Sequence, residues 1–397
     1  MEMRHALLLF VLAFVGCRGG MNTPLVDDLL KGAQETLAPD RRTQVFDVKG
    51  SLAGYDLTLS GDIHSEELHS QLLRYLAGHS SYNVIDNITV LPDSSLGGRT
   101  YGVVSVSVAN LRTKPGHASE LGTQAILGTP VRLLRRDRGW LLVQTPDQYL
   151  GWTDDMIEEM DSTAYDRWSV ARKVIVTSPF GWTYASRDRN GQVVSDVVAG
   201  ALLQLVATDA TSYQVQYPDG RIAYLARDLA VPLSEWLSQA HDTKESITAG
   251  AHRFFGVPYL WGGTSAKGMD CSGFTKTVFF LNGVLLPRDA NQQAAVGKRI
   301  EITPDYDRLE EGDLVFFGSR AHGNRPERIT HVGIYLGGNK FIHESGDVRI
   351  NSFNPADSDY SEFRTNTLLA ATRIIGETEE TGVRRLTGIP YYRGRDR

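Results

Sequence analysis

Cysteine is almost absent from this chain: two residues in 397, Cys17 and Cys271. Two thiols exclude a four-thiolate metal site, and if Cys17 is consumed elsewhere Cys271 has no partner for an intrachain disulfide. A basic excess is lacking too. With 41 Lys and Arg against 47 Asp and Glu, a net charge of −6 and a pI near 6.0, there is no electrostatic reason to expect nucleic acid. Low-complexity tracts are missing. The longest apolar run near the start, Ala6 to Val15, is ten residues, half of the about 20 that a membrane span needs. What is present is ordinary for a globular chain, 41% apolar and 22% charged, and the length alone suggests about two to four domains.

Residues 1–17 read as a secretory segment: Arg4, then Ala6 to Val15, then Gly16-Cys17. Phe14-Val-Gly-Cys17 resembles a bacterial lipobox, in which the cysteine becomes a lipidated N-terminus. The expectation is an exported protein held to a membrane surface through acyl chains on Cys17.

After a polar stretch to about Gln44, strands at Val45–Val48 and Asp56–Ser60 precede a helix. Ser65 stands at its N-cap and Leu68, Leu72 and Leu76 line one face; a strand at Val84–Val90 follows. This ββαβ unit, residues 40–92, faintly resembles the small envelope domains called BON. Two β-rich segments come next, residues 100–160 and 165–232, and they read as copies. Gly128, Val143, Gln144, Pro146 and Asp147 are answered 72 residues later by Gly200, Val215, Gln216, Pro218 and Asp219. Short strands between turn residues predict two small barrels. Residues 240–376 begin helical and end in strands, which predicts an α+β domain; residues 377–397 read as a loosely held tail.

In that last domain Phe274, Val278 and Leu281 recur at i, i+4 and i+7, predicting a helix that begins near Cys271. A thiol at a helix N-terminus faces unpaired N–H groups and the positive dipole end, so the expectation is a favoured thiolate and a nucleophile. Such a nucleophile needs a base, and the base needs an orienting group. His331 and His343 flank a Gly-Gly-Asn turn. Pairing centred on Gly337 sets them opposite one another on one face, whereas a two-residue turn at Gly338-Asn339 separates them unless a bulge intervenes.

The motifs Asp270-Cys-Ser-Gly273, Gly312-Asp-Leu-Val-Phe-Phe317, His331-Val-Gly-Ile-Tyr335 and Phe341-Ile-His343 resemble the NlpC-type papain-like peptidases of bacterial cell walls. The run Val106 to Arg112, with Lys114-Pro115, Gly139-Trp140 and Tyr149-Leu-Gly-Trp152, resembles the SH3-type domains that accompany them. Together they point to γ-D-glutamyl-L-diamino acid endopeptidases of the dipeptidyl-peptidase VI kind. The resemblance implies a multidomain chain: an α+β papain-like peptidase behind two SH3-like barrels and a small α+β unit. It implies Cys271 as nucleophile, His331 as general base and His343 as the residue orienting it. Tyr259, Trp261, Asp270, Ser272 and Arg288 match substrate-contact positions, and the resemblance implies that Asp270, with Glu120 and Tyr149 reaching in from the first barrel, closes over the substrate's N-terminal amine. Ala290 stands where some relatives carry serine. The implied substrate is a murein peptide with a free N-terminal L-Ala, cleaved by a monomer through an acyl-enzyme without metal or cofactor. Hydrolysis of intact wall peptides and a silent wall-binding adaptor are the alternatives.

Overall fold

The computed structural model describes residues 24–189 and 191–393, so the lipobox-like segment and Cys17 lie outside the described residues. The chain divides into two units, before and after Leu91.

In the first unit Phe46–Ala53 pairs antiparallel with Asp56–Ile63, which pairs parallel with Asn83–Val90 across the helix Glu66–His79. Ser65 caps that helix by accepting the Leu68 N–H, and Leu68, Leu72 and Leu76 are buried, each contributing about 1.5–3 kcal/mol. The stretch before Gln44, expected to be merely polar, contains a helix at Pro24–Leu37. Its apolar stripe is narrow, Val26, Leu30 and Ala33 at i, i+4 and i+7, and charges between them hide it.

In the second unit each barrel is one seven-stranded sheet, and the two sheets have the same strand order. The 72-residue offset holds strand by strand: Tyr101–Val104 and Lys173–Val176, Val108–Arg112 and Phe180–Tyr184, Leu121–Ile126 and Val193–Val198, Trp140–Gln144 and Ser212–Gln216. The helix Ser162–Val170 joins them.

The last domain is α+β as read, with the helices Lys244–His252 and Cys271–Phe280 set against a six-stranded antiparallel sheet. Its strand order is Lys298–Ile300, Leu368–Arg373, Leu314–Ser319, Arg328–Gly337, Lys340–Glu344, Val348–Ser352. Phe274, Val278, Leu314, Phe316, Val332, Ile334 and Ile342 fill the layer between helix and sheet.

The loosely held tail is corrected. Arg384–Arg385 pairs with Val284–Leu285, and Tyr391 and Tyr392 are buried. The Tyr391 hydroxyl accepts from Trp168 Nε1 at 2.8 Å and donates to the Gly128 carbonyl at 2.6 Å. Arginines at 384, 385 and 393 make the segment look solvated, but both tyrosines are buried and the Tyr391 hydroxyl finds its partners in Trp168 and Gly128.

Candidate active site

Asp270 fixes where the nucleophile's helix begins. Its Oδ1 accepts the Gly273 N–H at 2.7 Å as N-cap, which puts Cys271 in the first helical position. Gly273 is required there: a Cβ would come within 2.0 Å of the Gly263 carbonyl oxygen. The thiol is buried, and the Val332 N–H, next to His331, points at it. The expected thiolate is corrected. Burial first, and the Asp270 charge second, push the Cys271 thiol up to about 12, so the free site holds a thiol. A helix terminus contributes about 0.3–1 kcal/mol, less than dehydrating a thiolate costs.

The histidines meet by the bulge rather than by the symmetric register. Gly337 pairs with Lys340 around Gly338-Asn339, both with positive φ (57° and 63°), a two-residue turn that asparagine and glycine tolerate. One irregularity between Tyr335 and Gly337 then restores phase. Gly333 faces His343, and His331 lies diagonally from it on the same side.

A chain of hydrogen bonds fixes the tautomers. Asn351 Nδ2 donates to the Asp359 carbonyl at 2.9 Å, which turns Asn351 Oδ1 toward His343 Nε2 at 2.8 Å. The oxygen can only accept, so His343 Nε2 carries a proton. Burial holds His343 down to about 4, so it is neutral and its Nδ1 accepts. His331 Nε2, 2.8 Å away, therefore donates. The bare lone pair of His331 is left on Nδ1. Burial first, then Arg364 and His343, keep the His331 imidazole well below its usual range and hence neutral.

A second wall is built around Arg288, which is fully buried. Its Nη1 and Nη2 grip Asp270 at 3.0 and 2.6 Å, Nη1 also reaches Ser272 Oγ at 3.0 Å, and Nε reaches Thr123 Oγ1 of the first barrel at 2.8 Å. Asp270 accepts the Gly262 N–H at 3.0 Å as well. The first barrel touches this wall three more times. Glu120 accepts from Trp261 Nε1 at 2.8 Å, the Tyr149 hydroxyl donates to Asp289 at 3.2 Å, and Gln124 accepts the Thr264 N–H at 3.0 Å. Tyr259 is part-exposed, its hydroxyl pushed far up by burial, Cys271 and Asp270. The site residues expected from sequence other than Cys17 thus gather on two walls about Cys271.

Three neighbours were not foreseen. Asn351 lies on Val348–Ser352, whose alternation is a strand signal masked by the Gly346-Asp347 turn before it. Arg364 lies on the short helix Glu362–Thr367. Glu344 follows His343. It is fully buried, neither carboxyl oxygen has a hydrogen-bond partner among the described residues, and burial with Asp347 and Asp270 pushes it up to about 8.

A buried thiol at a helix start and an oriented imidazole on the strand facing that helix are the groups that acyl transfer needs. The NlpC/P60 family pattern matches residues 256–369, and that of the bacterial dipeptidyl-peptidase Sh3 domain matches residues 111–155. The probable endopeptidase NlpC of Escherichia coli is 45% identical over 119 residues, 29% of this chain and 71% of the relative. A γ-D-glutamyl-L-lysine dipeptidyl-peptidase of Bacillus subtilis is 29% identical over 282 residues, 67% of this chain and 89% of the relative. In fold, an NlpC/P60 family protein from Bacillus cereus superposes with a TM-score of 0.59 at 23% identity, over 69% of this chain and 99% of that one. With the family pattern matched over residues 256–369 and a 45% identical relative covered over 71% of its length, the chain belongs to the NlpC/P60 family and is a cysteine peptidase.

Proposed function

We propose that this peptidase hydrolyses the γ-D-glutamyl bond to an L-diamino acid in murein peptides whose N-terminal L-Ala is free. The observation that carries the chemistry is the chain Asn351–His343–His331, which leaves a lone pair on His331 Nδ1, one residue from the Val332 N–H that points at the neutral Cys271 thiol. In this reading Sγ attacks the γ-carbonyl carbon as its proton passes to His331 Nδ1. The same proton then goes to the leaving amine, and water, deprotonated by His331, splits the thioester. The name of the Bacillus subtilis relative supports the bond.

The amine end falls to Glu120. Asp270 is already engaged by both guanidinium nitrogens of Arg288 and by two backbone N–H groups, whereas Glu120 gives one oxygen to Trp261. A cap on the amine leaves that carboxylate unpaired beside the substrate, so discrimination of up to about 10⁴-fold is within reach. Tyr259, Ser272 and Tyr149 line the pocket in this reading, the first unit is BON-like, and the protein works at the cell envelope, anchored through Cys17.

The test is incubation with L-Ala-γ-D-Glu-L-Lys and its N-acetyl form, with products weighed by mass spectrometry. L-Ala-D-Glu and free lysine are expected from the first peptide only. Cys271→Ala is expected to abolish both products with circular dichroism unchanged; residual turnover in the pure variant removes the nucleophile. Equal rates on the two peptides remove amine capture and favour action on intact wall peptides. A Cys17→Ser chain that stays with membranes removes the anchor.

A further inference from the structure

Arg364 is a half-buried cation beside the reacting atoms with no anion of its own. Its guanidinium lies 5.4 Å above the Phe317 ring, whose centroid is 5.7 Å from that of His331. Of its five donors one is used, Nη2 to Ser345 Oγ at 3.2 Å, two residues beyond His343. Among the described residues no carboxylate lies within ion-pair distance of it. The other arginines around the site differ: Arg288 holds Asp270 at 2.6 Å and Arg349 holds Asp347 at 2.5 Å. A guanidinium withdrawn from water with four donors unspent is matched to a planar anion that arrives from outside.

Chemistry says which part of the substrate arrives there. The imidazole that takes the thiol proton must deliver it to the leaving nitrogen, so the side of Cys271 flanked by His331 and His343 receives the leaving group. Among the described residues the Asp270–Arg288 and Glu120–Trp261 wall makes no hydrogen bond to either histidine, and it belongs to the acyl portion. The leaving group is a diamino acid, and its one anionic function is carboxylate: the α-carboxylate when the peptide ends there, or the distal carboxylate when the residue is diaminopimelate. Arg364 also lowers both histidines electrostatically, so a bound carboxylate that neutralises it eases protonation of His331 in the step where the proton is needed.

We infer that Arg364, with Ser345, is the leaving-group subsite, a specificity determinant that pairs with a carboxylate of the departing diamino acid. This rests on the peptidase reading above and adds to it a requirement at the opposite end of the substrate from the free amine.

The experiment measures kcat/KM of the full chain on L-Ala-γ-D-Glu-L-Lys, on its C-terminal amide, and on the C-terminal amide of L-Ala-γ-D-Glu-diaminopimelate. If the α-carboxylate is read, the acid exceeds the lysine amide by about tenfold to a hundredfold; if the distal carboxylate is read, the diaminopimelate amide exceeds the lysine amide by a similar factor. In Arg364→Met the ratio between the peptides falls to about one. Arg364→Lys, which keeps the charge and loses the fork, retains part of the preference. A residue that only braces its helix over Phe317 would lower all three peptides in parallel and leave their ratios alone. Cleavage of all three at equal rates by the wild type, or a parallel loss in Arg364→Met, overturns the inference and leaves the peptidase standing. If none is cleaved, both fall together.

Discussion

The two barrels share a strand order and a 72-residue offset, yet only the first reaches the wall around Arg288. The positions through which it does so, Glu120, Thr123, Gln124 and Tyr149, correspond in the second barrel to Gln192, Ser195, Asp196 and Arg221. There Asp196 meets Lys267 at 2.5 Å, and Arg221 turns back to the Ser105 carbonyl at 3.0 Å and to Asp219. One copy has its polar groups spent on the site and the other has them spent on bracing its neighbours. A duplicated frame thus carries two tasks without any change of sheet. At these four matching positions the side chains differ, and function follows those side chains rather than the fold that displays them.

The contrast is broken most forcefully at Arg288. Arg288→Met leaves Asp270 buried without its cation and Thr123 without its donor, so a loss of about 3–5 kcal/mol and of most activity is expected, read by denaturant unfolding and peptide turnover. A variant as stable as the wild type would mean that the first barrel is not tied to the site through this residue.

A medium effect separates Asp270, which has a partner on the barrel side, from Glu344, which has none. Glu344 is pushed up to about 8 from 4.5, so between those values the folded chain holds a proton that the unfolded chain has released, and stability falls as pH rises through this window. Glu344→Gln is expected to be more stable than the wild type by about 1–3 kcal/mol at pH 8, with the gap closing as pH approaches 4.5. His331 and His343, both held below their ordinary 6.5, act in the opposite sense. The unfolded chain gains their protons first, so their contribution is complete above 6.5 and is lost on acidification, but it is common to both proteins and cancels in the difference. A gap that stays constant with pH would mean that Glu344 is ionised in the folded chain.

The smallest effect is expected in the second barrel. Arg221, the counterpart of Tyr149, is 41% exposed, and Arg221→Met should cost less than about 1 kcal/mol and leave turnover unchanged. A loss as large as that of Arg288→Met would erase the division of labour.

The parts of the site that were legible in the sequence are those fixed by local pattern. The i, i+4, i+7 spacing behind Cys271 gave the helix, and the two histidines around a glycine turn gave the strands. The choice between registers was not legible, because a one-residue bulge before Gly337 is decided by backbone dihedrals and by packing of the flanking strands. The protonation state was not legible either: a helix terminus can be read from a sequence, whereas the dehydration that outweighs it at Cys271 depends on everything packed over the thiol. Asn351 and Arg364 stayed hidden because they reach the histidines across strand and helix boundaries that carry no motif.

Tyr391 carries a consequence for the order in which the molecule is built. Its hydroxyl joins Trp168 and Gly128, partners 223 and 263 residues earlier in the chain. Contacts of such sequence separation pay a large loop-closure entropy and form late. During synthesis the residues of both barrels and of the catalytic sheet are made before residues 384–393. The unit is thus expected to pass through a stage in which the Tyr391 contacts to Trp168 and Gly128 are still unmade, while the first barrel already holds the peptidase through Thr123 and Glu120.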